Sequence, residues 1–363
     1  MLQRLSLTGL SQRARDYRSR TEDGAIALHV LVAGWITVGF ALFFVGSAWT
    51  ILPLAGFLTT IAYGWARYQA ETAKGLTFLT TVATVGVLAL IIAFLLLRTL
   101  PVFRQMGLDL FFRTESPPRL WGGDGGTVWS LTPMMVGTAL TTVIATIVAA
   151  PLGVAGAIFV SELAPPRVRE LVKPGIELMA GIPSITYGFI GLTIVNQYLY
   201  AEFNTPTIGN YFGAGLMVGI MALPTIVTVA EDALSTVPES MKSGSLAMGS
   251  TEWQTTKSVT IPAALSGISA AILLGVGRAM GETMAATVML SHTKGFPSPI
   301  FDVFAGYGET LTTVIAFEGG NASGLHMSAL FAGGVVLFVM VMFLSVSSQF
   351  VEWRMRQKLR GER

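Results

Sequence analysis

Residues 231–262 read EDALSTVPESMKSGSLAMGSTEWQTTKSVTIP. They separate two long apolar runs, near 212–230 and 263–290, and are themselves polar. Yet Leu246, Met248, Trp253 and Val259 give the segment an apolar side. Pro238 and Pro262 bracket it, and Gly249 stands where a helix would break. The pattern predicts one or two short helices held outside a bilayer. Such a helix suits docking to another protein or lying on the lipid surface. Composition alone leaves both open.

The flanking sequence predicts an all-α polytopic membrane protein. Of 363 residues, 52% are hydrophobic and 12% charged, whereas soluble domains carry about 25% charged residues. Eight apolar segments stand out, near 25–47, 49–65, 76–97, 134–160, 176–199, 212–230, 263–290 and 325–349. At about 1.5 Å per residue, the long ones cross a hydrocarbon core of about 30 Å. The second is the shortest. The first is too long for a signal-peptide core and reads as a retained span.

Lys and Arg orient the chain. The arm 1–24 holds Arg4, Arg13, Arg15, Arg18 and Arg20, and the tail 351–363 holds Arg354, Arg356, Lys358, Arg360 and Arg363. With both termini cytoplasmic, loops 66–75, 161–175 and 231–262 also lie inside. That places 17 of the 23 basic residues there. Arg98, Arg104, Arg113, Arg119 and Lys294 lie outside, and Arg278 falls within a span. The basic ends suit anionic lipid headgroups; no nucleic-acid partner is expected. The outer segment 98–132 reads as a re-entrant or surface cap, with Phe111 and Phe112 at the interface.

Several chemistries are excluded. The chain has no cysteine, hence no disulfide and no thiolate site. His29, His292 and His326 are scattered without metal-ligand spacing, and no metal is expected. There is no phosphate loop of the G-x-x-x-x-G-K-[ST] type, so ATP hydrolysis is expected elsewhere.

Arg278 and Glu282 stand four residues apart in the run VGRAMGETMAATVML, 276–290. In a continuous helix they share a face and neutralise each other. An unpaired charge at that depth costs at least about 2.5–3.5 kcal/mol. Gly277 and Gly281 have the same spacing and would admit a close helix neighbour. The pair is either a packing device or an anion path, in which the Arg278 fork matches an oxyanion and Glu282 tempers its grip. In AGIPSITYG, 180–188, Pro183 predicts a kink. The hydroxyls of Ser184, Thr186 and Tyr187 either satisfy the freed carbonyl or line the same path. FEGGNASG, 317–324, reads as a loop or an anion-holding turn.

Beyond the residues lies a resemblance. Membrane subunits of ATP-binding-cassette importers carry a cytoplasmic loop of Glu-Ala-Ala, three residues, Gly, nine residues, then Ile-x-Leu-Pro. Here Gly249 is followed by nine residues and by Val259-Thr-Ile261-Pro262, while Ser243, Gly244 and Ser245 occupy the Glu-Ala-Ala positions. PLGVAGAIFVSELAPPRVRELVKPGIELMAGIPSITYGFIGL, 151–192, GLDLFF, 107–112, and GRAMGETMAATVM resemble the permeases of phosphate-specific importers, of the PstC type. The resemblance spans roughly 107–349 and omits 25–97.

It implies a five-span permease core within 133–350, entered from outside, with Ser243, Ala247, Gly249, Trp253 and Pro262 coupling to the ATPase. It implies as partners a second permease of the PstA type, two ATPase subunits carrying ATP and Mg, and an extracytoplasmic phosphate-binding protein. Other oxyanions, molybdate or sulfate, fit the same machine. An ion-coupled secondary transporter would need no docking loop and shows inverted repeats, which are not evident here.

Overall fold

A computed structural model describes residues 23–114, 120–122 and 128–359. The N-terminal basic arm, Arg119, Arg360 and Arg363 lie outside the described residues. The chain divides into two compact units, 1–93 and 94–363.

In the first unit, α1 (Asp23–Phe44) and α2 (Ile51–Arg67) form a hairpin, followed by the start of α3 (Gln69–Met106). Gly46 takes φ +69° at the turn, a conformation glycine adopts without cost. Gly56 lies under the Trp35 ring, whose indole N–H donates to Thr60 Oγ1 at 3.1 Å. Many outward side chains here are large and apolar, among them Phe43, Phe44, Trp49 and Leu54.

The second unit holds α4 (Asp109–Phe112), a two-strand ladder of β1 (Trp121–Gly122) and β2 (Val128–Trp129), and α5 (Thr132–Ile158). It continues with α6 (Pro166–Gly181), α7 (Ser184–Ile190), α8 (Gln197–Phe203) and α9 (Tyr211–Ser235). Then come α10 (Glu239–Ala247), α11 (Glu252–Thr255), α12 (Ile261–Met280), α13 (Met284–Met289), α14 (Leu311–Glu318) and α15 (Gly324–Leu359). Wide π turns at Phe159–Leu163, Gly191–Asn196 and Thr256–Thr260 extend α5, join α7 to α8, and join α11 to α12. Such turns are uncommon and concentrate at functional places.

Among the described residues, six helices are long and apolar enough to cross a membrane. The α6 helix and the run Ser184–Phe203, bent by 92° between them, are long and apolar enough only as a pair: a seventh span if they cross as one, a re-entrant loop otherwise. The kink predicted at Pro183 within 176–199 is thus present. α6 ends at Gly181 and α7 starts after Pro183, which does not continue the helix. The predicted second span is α2, 17 residues long and about 25 Å at 1.5 Å per residue, shorter than the hydrocarbon core. The predicted span 76–97 is the middle of the 38-residue α3. The expected outer cap is thus helical as far as Met106. Phe111 packs into a core with Val102, Leu131 and Leu330, while Phe112 is exposed.

The centre of the second unit is α9. It runs parallel to α5, since Gly137 meets Tyr211, Gly219 meets Ala145, and Gly153 meets Ile226. It runs antiparallel to α12, since Gly275 meets Ile226 and Gly267 meets Ala233. Gly215 and Gly219 repeat the small-xxx-small spacing that lets membrane helices approach closely. A Cβ at Gly219 would stand 2.9 Å from the Ala145 carbonyl oxygen. The predicted packing glycines do not play this part within the chain. Nothing lies within 4 Å of a Cβ at Gly277, and Gly281 meets only the carbonyls of its own turn.

Candidate functional site

The predicted helix 263–290 is broken. α12 ends at Met280, where the Gly281 N–H donates to the Gly277 carbonyl at 3.1 Å. After Glu282 and Thr283 the chain starts α13. The Glu282 carboxylate accepts the Ala285 N–H at 3.0 Å and so caps the new helix. This corrects the expected ion pair. The break turns the Glu282 side chain forward along the chain, and among the described residues Arg278 makes no ion pair or hydrogen bond. Arg278 is exposed at the surface of the chain, in the last turn of a membrane-length helix.

The break is held from the far side by α14. Thr312 donates its hydroxyl to the Glu282 carbonyl at 2.8 Å. Thr310 caps α14 reciprocally with Thr313, and the Thr138 hydroxyl accepts the Leu311 N–H at 3.0 Å. A small pocket opens here, lined by Thr138, Thr141, Thr142, Thr310, Thr312 and the Glu282 side. The Thr141 hydroxyl is buried in it without a protein partner. Irregular backbone at membrane depth persists only where it is enclosed by protein or lines a polar cavity; this break does both.

The helix that carries the predicted hydroxyls, α7, packs against α13. Gly188 of α7 lies against Ala285 of α13, where a Cβ would be 2.8 Å from the Ala285 Cα. Tyr187 lies within electrostatic range of Arg278. The Tyr187 ring is buried, and its hydroxyl donates to the Met179 carbonyl at 3.0 Å, which fastens the 92° bend. Tyr187 therefore serves the bend rather than a path. Ser184 is half-buried and Thr186 exposed.

At the opposite end of α9 lies the loop that opened the sequence. α10 ends before Gly249, which takes φ +88°, and Thr251 begins α11 with a reciprocal cap from Gln254. The two short helices thus stand where the sequence placed them. The chain then runs helically through Thr256–Thr260 into α12, so Pro262 sits in the first turn of a helix rather than ending one. Ser243, Ala247 and Trp253 are exposed, as are Met241, Leu246 and Met248, the last at 87%. Lys242 and Ser245 alone in α10 are half-buried. Lys242 pairs with Glu162 at 2.8 Å, and Ser245 accepts a hydrogen bond from the Thr255 hydroxyl at 3.0 Å. Arg169 donates to the carbonyls of Val160 and Ser161, and Lys173 pairs with Glu231 at 2.9 Å.

A third group was not foreseen. His292, Glu309, Lys294, Glu318 and His326 form a continuous chain of ionisable side chains. His292 Nδ1 lies 3.3 Å from Glu309 Oε2, and Lys294 bridges Glu309, at 3.6 Å, to Glu318. His326 and the Trp121 indole each meet Glu318 Oε2 at 2.7 Å. Glu309 is 1% exposed and also accepts the Thr313 hydroxyl. The Phe317 ring stacks on His292 and the Trp129 ring on His326. The bond to Glu309 raises the His292 pKa; burial opposes this, and the Thr287 carbonyl adds to it. Burial alone would push the Glu318 carboxyl up, but hydrogen bonds from Lys294, Trp121 and His326 outweigh it and hold it low. The residues are up to 34 positions apart in sequence, so no local motif announces them.

A five-span core around a parallel helix pair, one broken span and a helix–Gly–helix loop define a transporter membrane subunit. Residues 149–357 match the family described as binding-protein-dependent transport system inner membrane component, and the chain belongs to that family. It is 39% identical over 220 residues to the probable ABC transporter permease protein YqgH of Bacillus subtilis, which covers 60% of this chain and 70% of that one. It is 33% identical over 291 residues to the phosphate transport system permease protein PstC of Pasteurella multocida, covering 74% of this chain and 89% of that one. Among solved structures, a chain of a bacterial alginate ABC transporter crystallised with a pentasaccharide-bound periplasmic protein superposes with a TM-score of 0.51. The identity is 13%, with 82% of this chain and 97% of that one covered. That likeness speaks for the fold. The chain is thus a multi-pass ABC-transporter permease subunit.

Proposed function

We propose that this chain is the PstC-type permease of an ATP-driven phosphate importer. The observation that carries the proposal is Arg278, a cation at membrane depth that is exposed and makes no ion pair or hydrogen bond among the described residues. A bare guanidinium there is costly unless something outside the chain meets it. A path shared with a second permease, of the PstA type, supplies that setting, and phosphate oxygens match the fork. The PstC relatives support phosphate as the substrate.

Both termini then face the cytoplasm, as the distribution of Lys and Arg requires. The exposed apolar side of α10 and α11, formed by Met241, Leu246, Met248 and Trp253, docks one of two ATPase subunits that bind ATP and Mg. An extracytoplasmic phosphate-binding protein delivers the substrate to the opposite face. The test is ATP-dependent phosphate uptake by vesicles carrying the whole complex. Arsenate should compete. Sulfate or molybdate competing better than phosphate would reassign the substrate, and uptake without ATP would overturn the class.

A further inference from the structure

The helix α10 is fastened to the rest of the chain through two side chains on one face, three residues apart. Ser245 takes the Thr255 hydroxyl, which ties α10 to α11 and so to α12. Lys242 reaches across 80 positions to Glu162, with Nζ at 2.8 and 3.0 Å from the two carboxylate oxygens. The pair is largely shielded, with 17% of the Lys242 side chain and 8% of the Glu162 side chain exposed. Every other residue of α10 is exposed.

Glu162 sits in the π turn Phe159–Leu163, which continues α5. That turn is itself braced. Arg169 of α6 donates to the Val160 and Ser161 carbonyls, and Ser161 donates to Glu162 Oε1 at 2.9 Å. A push on Lys242 therefore meets a stiff seat. From that seat α5 leads to Thr138, Thr141 and Thr142, which line the pocket beside Glu282. The other fastening leads along α12 to Arg278 itself.

We infer that the Lys242–Glu162 pair is the strut that passes ATPase movement from α10 to α5, so that both walls of the broken-helix region move together. The inference rests on the reading of α10 as the ATPase dock. Neither residue touches substrate; both are positioning residues. A charged pair suits the task because it holds its geometry under load only while both partners remain. Losing one leaves a shielded lone charge, whereas exchanging the two preserves the bond.

The test uses the complete complex in proteoliposomes, with phosphate uptake and ATP hydrolysis measured together. Lys242→Glu and Glu162→Lys should each lower phosphate moved per ATP by about tenfold, within the range for coupling residues. The ATPase should stay bound in both. The double exchange should return the ratio to within about threefold of the parent. Lys242→Gln, a milder change, should fall between. A parent-like ratio in either single reversal, or a double exchange as poor as the singles, overturns the strut. The docking reading is read separately by cross-linking Met248→Cys to the ATPase. No cross-link removes the dock; a cross-link with unaffected single reversals removes only the strut.

Discussion

The Glu282 carboxylate accepts the Ala285 backbone N–H at 3.0 Å and leaves Arg278 without an ion pair or hydrogen bond among the described residues. One acidic side chain thereby starts a new helix. The guanidinium four residues earlier is freed to face whatever lies against α12.

Glu282→Gln is expected to keep this cap, since an amide oxygen accepts the same N–H. Substrate should still enter, because Arg278 remains, but release should slow. Single-turnover uptake with normal loading and reduced steady-state turnover is the expected pattern. Unchanged turnover would mean that the Glu282 charge takes no part.

Gly249→Pro should uncouple ATP hydrolysis from uptake while the protein still inserts. Gly249 holds φ +88°, and proline is fixed near −65°. The turn between α10 and α11 must therefore rearrange. The measurement is uptake beside ATPase activity in membranes with equal amounts of complex. Normal uptake would remove the turn from the coupling route.

Gly219→Ala should destabilise the permease by about 1–3 kcal/mol, the usual cost of overpacking. The atoms it would meet are the Ala145 carbonyl and Cα, which cannot swing aside as a side chain would. Gly277→Ala adds a methyl into open space within a helix and should leave the unfolding temperature of this chain the same or slightly higher. Equal effects of the two changes in thermal unfolding would contradict the packing described.

The chain of ionisable side chains from His292 to His326 makes stability depend on pH in two directions. His292 has a folded-state pKa raised above its ordinary 6.5, first by its bond to Glu309. Its contribution is fully present below that ordinary value and is lost as pH rises through the raised one. Glu318 is held below its ordinary 4.5, so its contribution is present above 4.5 and lost as pH falls through the lowered value. Thermal stability should therefore be greatest between the two, and decline on the alkaline side first. His292→Gln should flatten that alkaline decline; an unaltered profile would exclude the His292–Glu309 bond as its source.

Much of this fold was legible because membranes impose simple rules. Runs of apolar residues and the Lys/Arg distribution outlined the spans, and Gly249 marked the turn between α10 and α11. The break at 281–283 was hidden because Met280–Leu290 stays apolar around a single acid, and hydropathy does not report where a helix stops. The bend at Pro183 was legible, but its 92° angle depends on Tyr187 reaching Met179. Of the path candidates, Glu282 lines the threonine pocket and Tyr187 approaches Arg278, while Gly277, a packing candidate, faces open space. Lys294 looked like an ordinary loop lysine because Glu309 and Glu318 approach it only once α14 folds back.

The orientation rests on charge alone and is open to direct test. A cysteine at Ser11, in this cysteine-free chain, should resist an impermeant thiol reagent applied to intact cells and react after lysis. Labelling from outside would reverse the topology.

The most direct measurement is uptake by Arg278→Gln and by Arg278→Gln/Glu282→Gln, each normalised to assembled complex. Arg278 has no ion pair or hydrogen bond to lose among the described residues, so both variants should assemble. A charged hydrogen bond of about 1.5–3 kcal/mol predicts at least about a tenfold fall in uptake from its loss. The double variant should be no better than the single. Uptake near the parent level in the double variant would contradict the account, because it would show that substrate passes without the Arg278 cation.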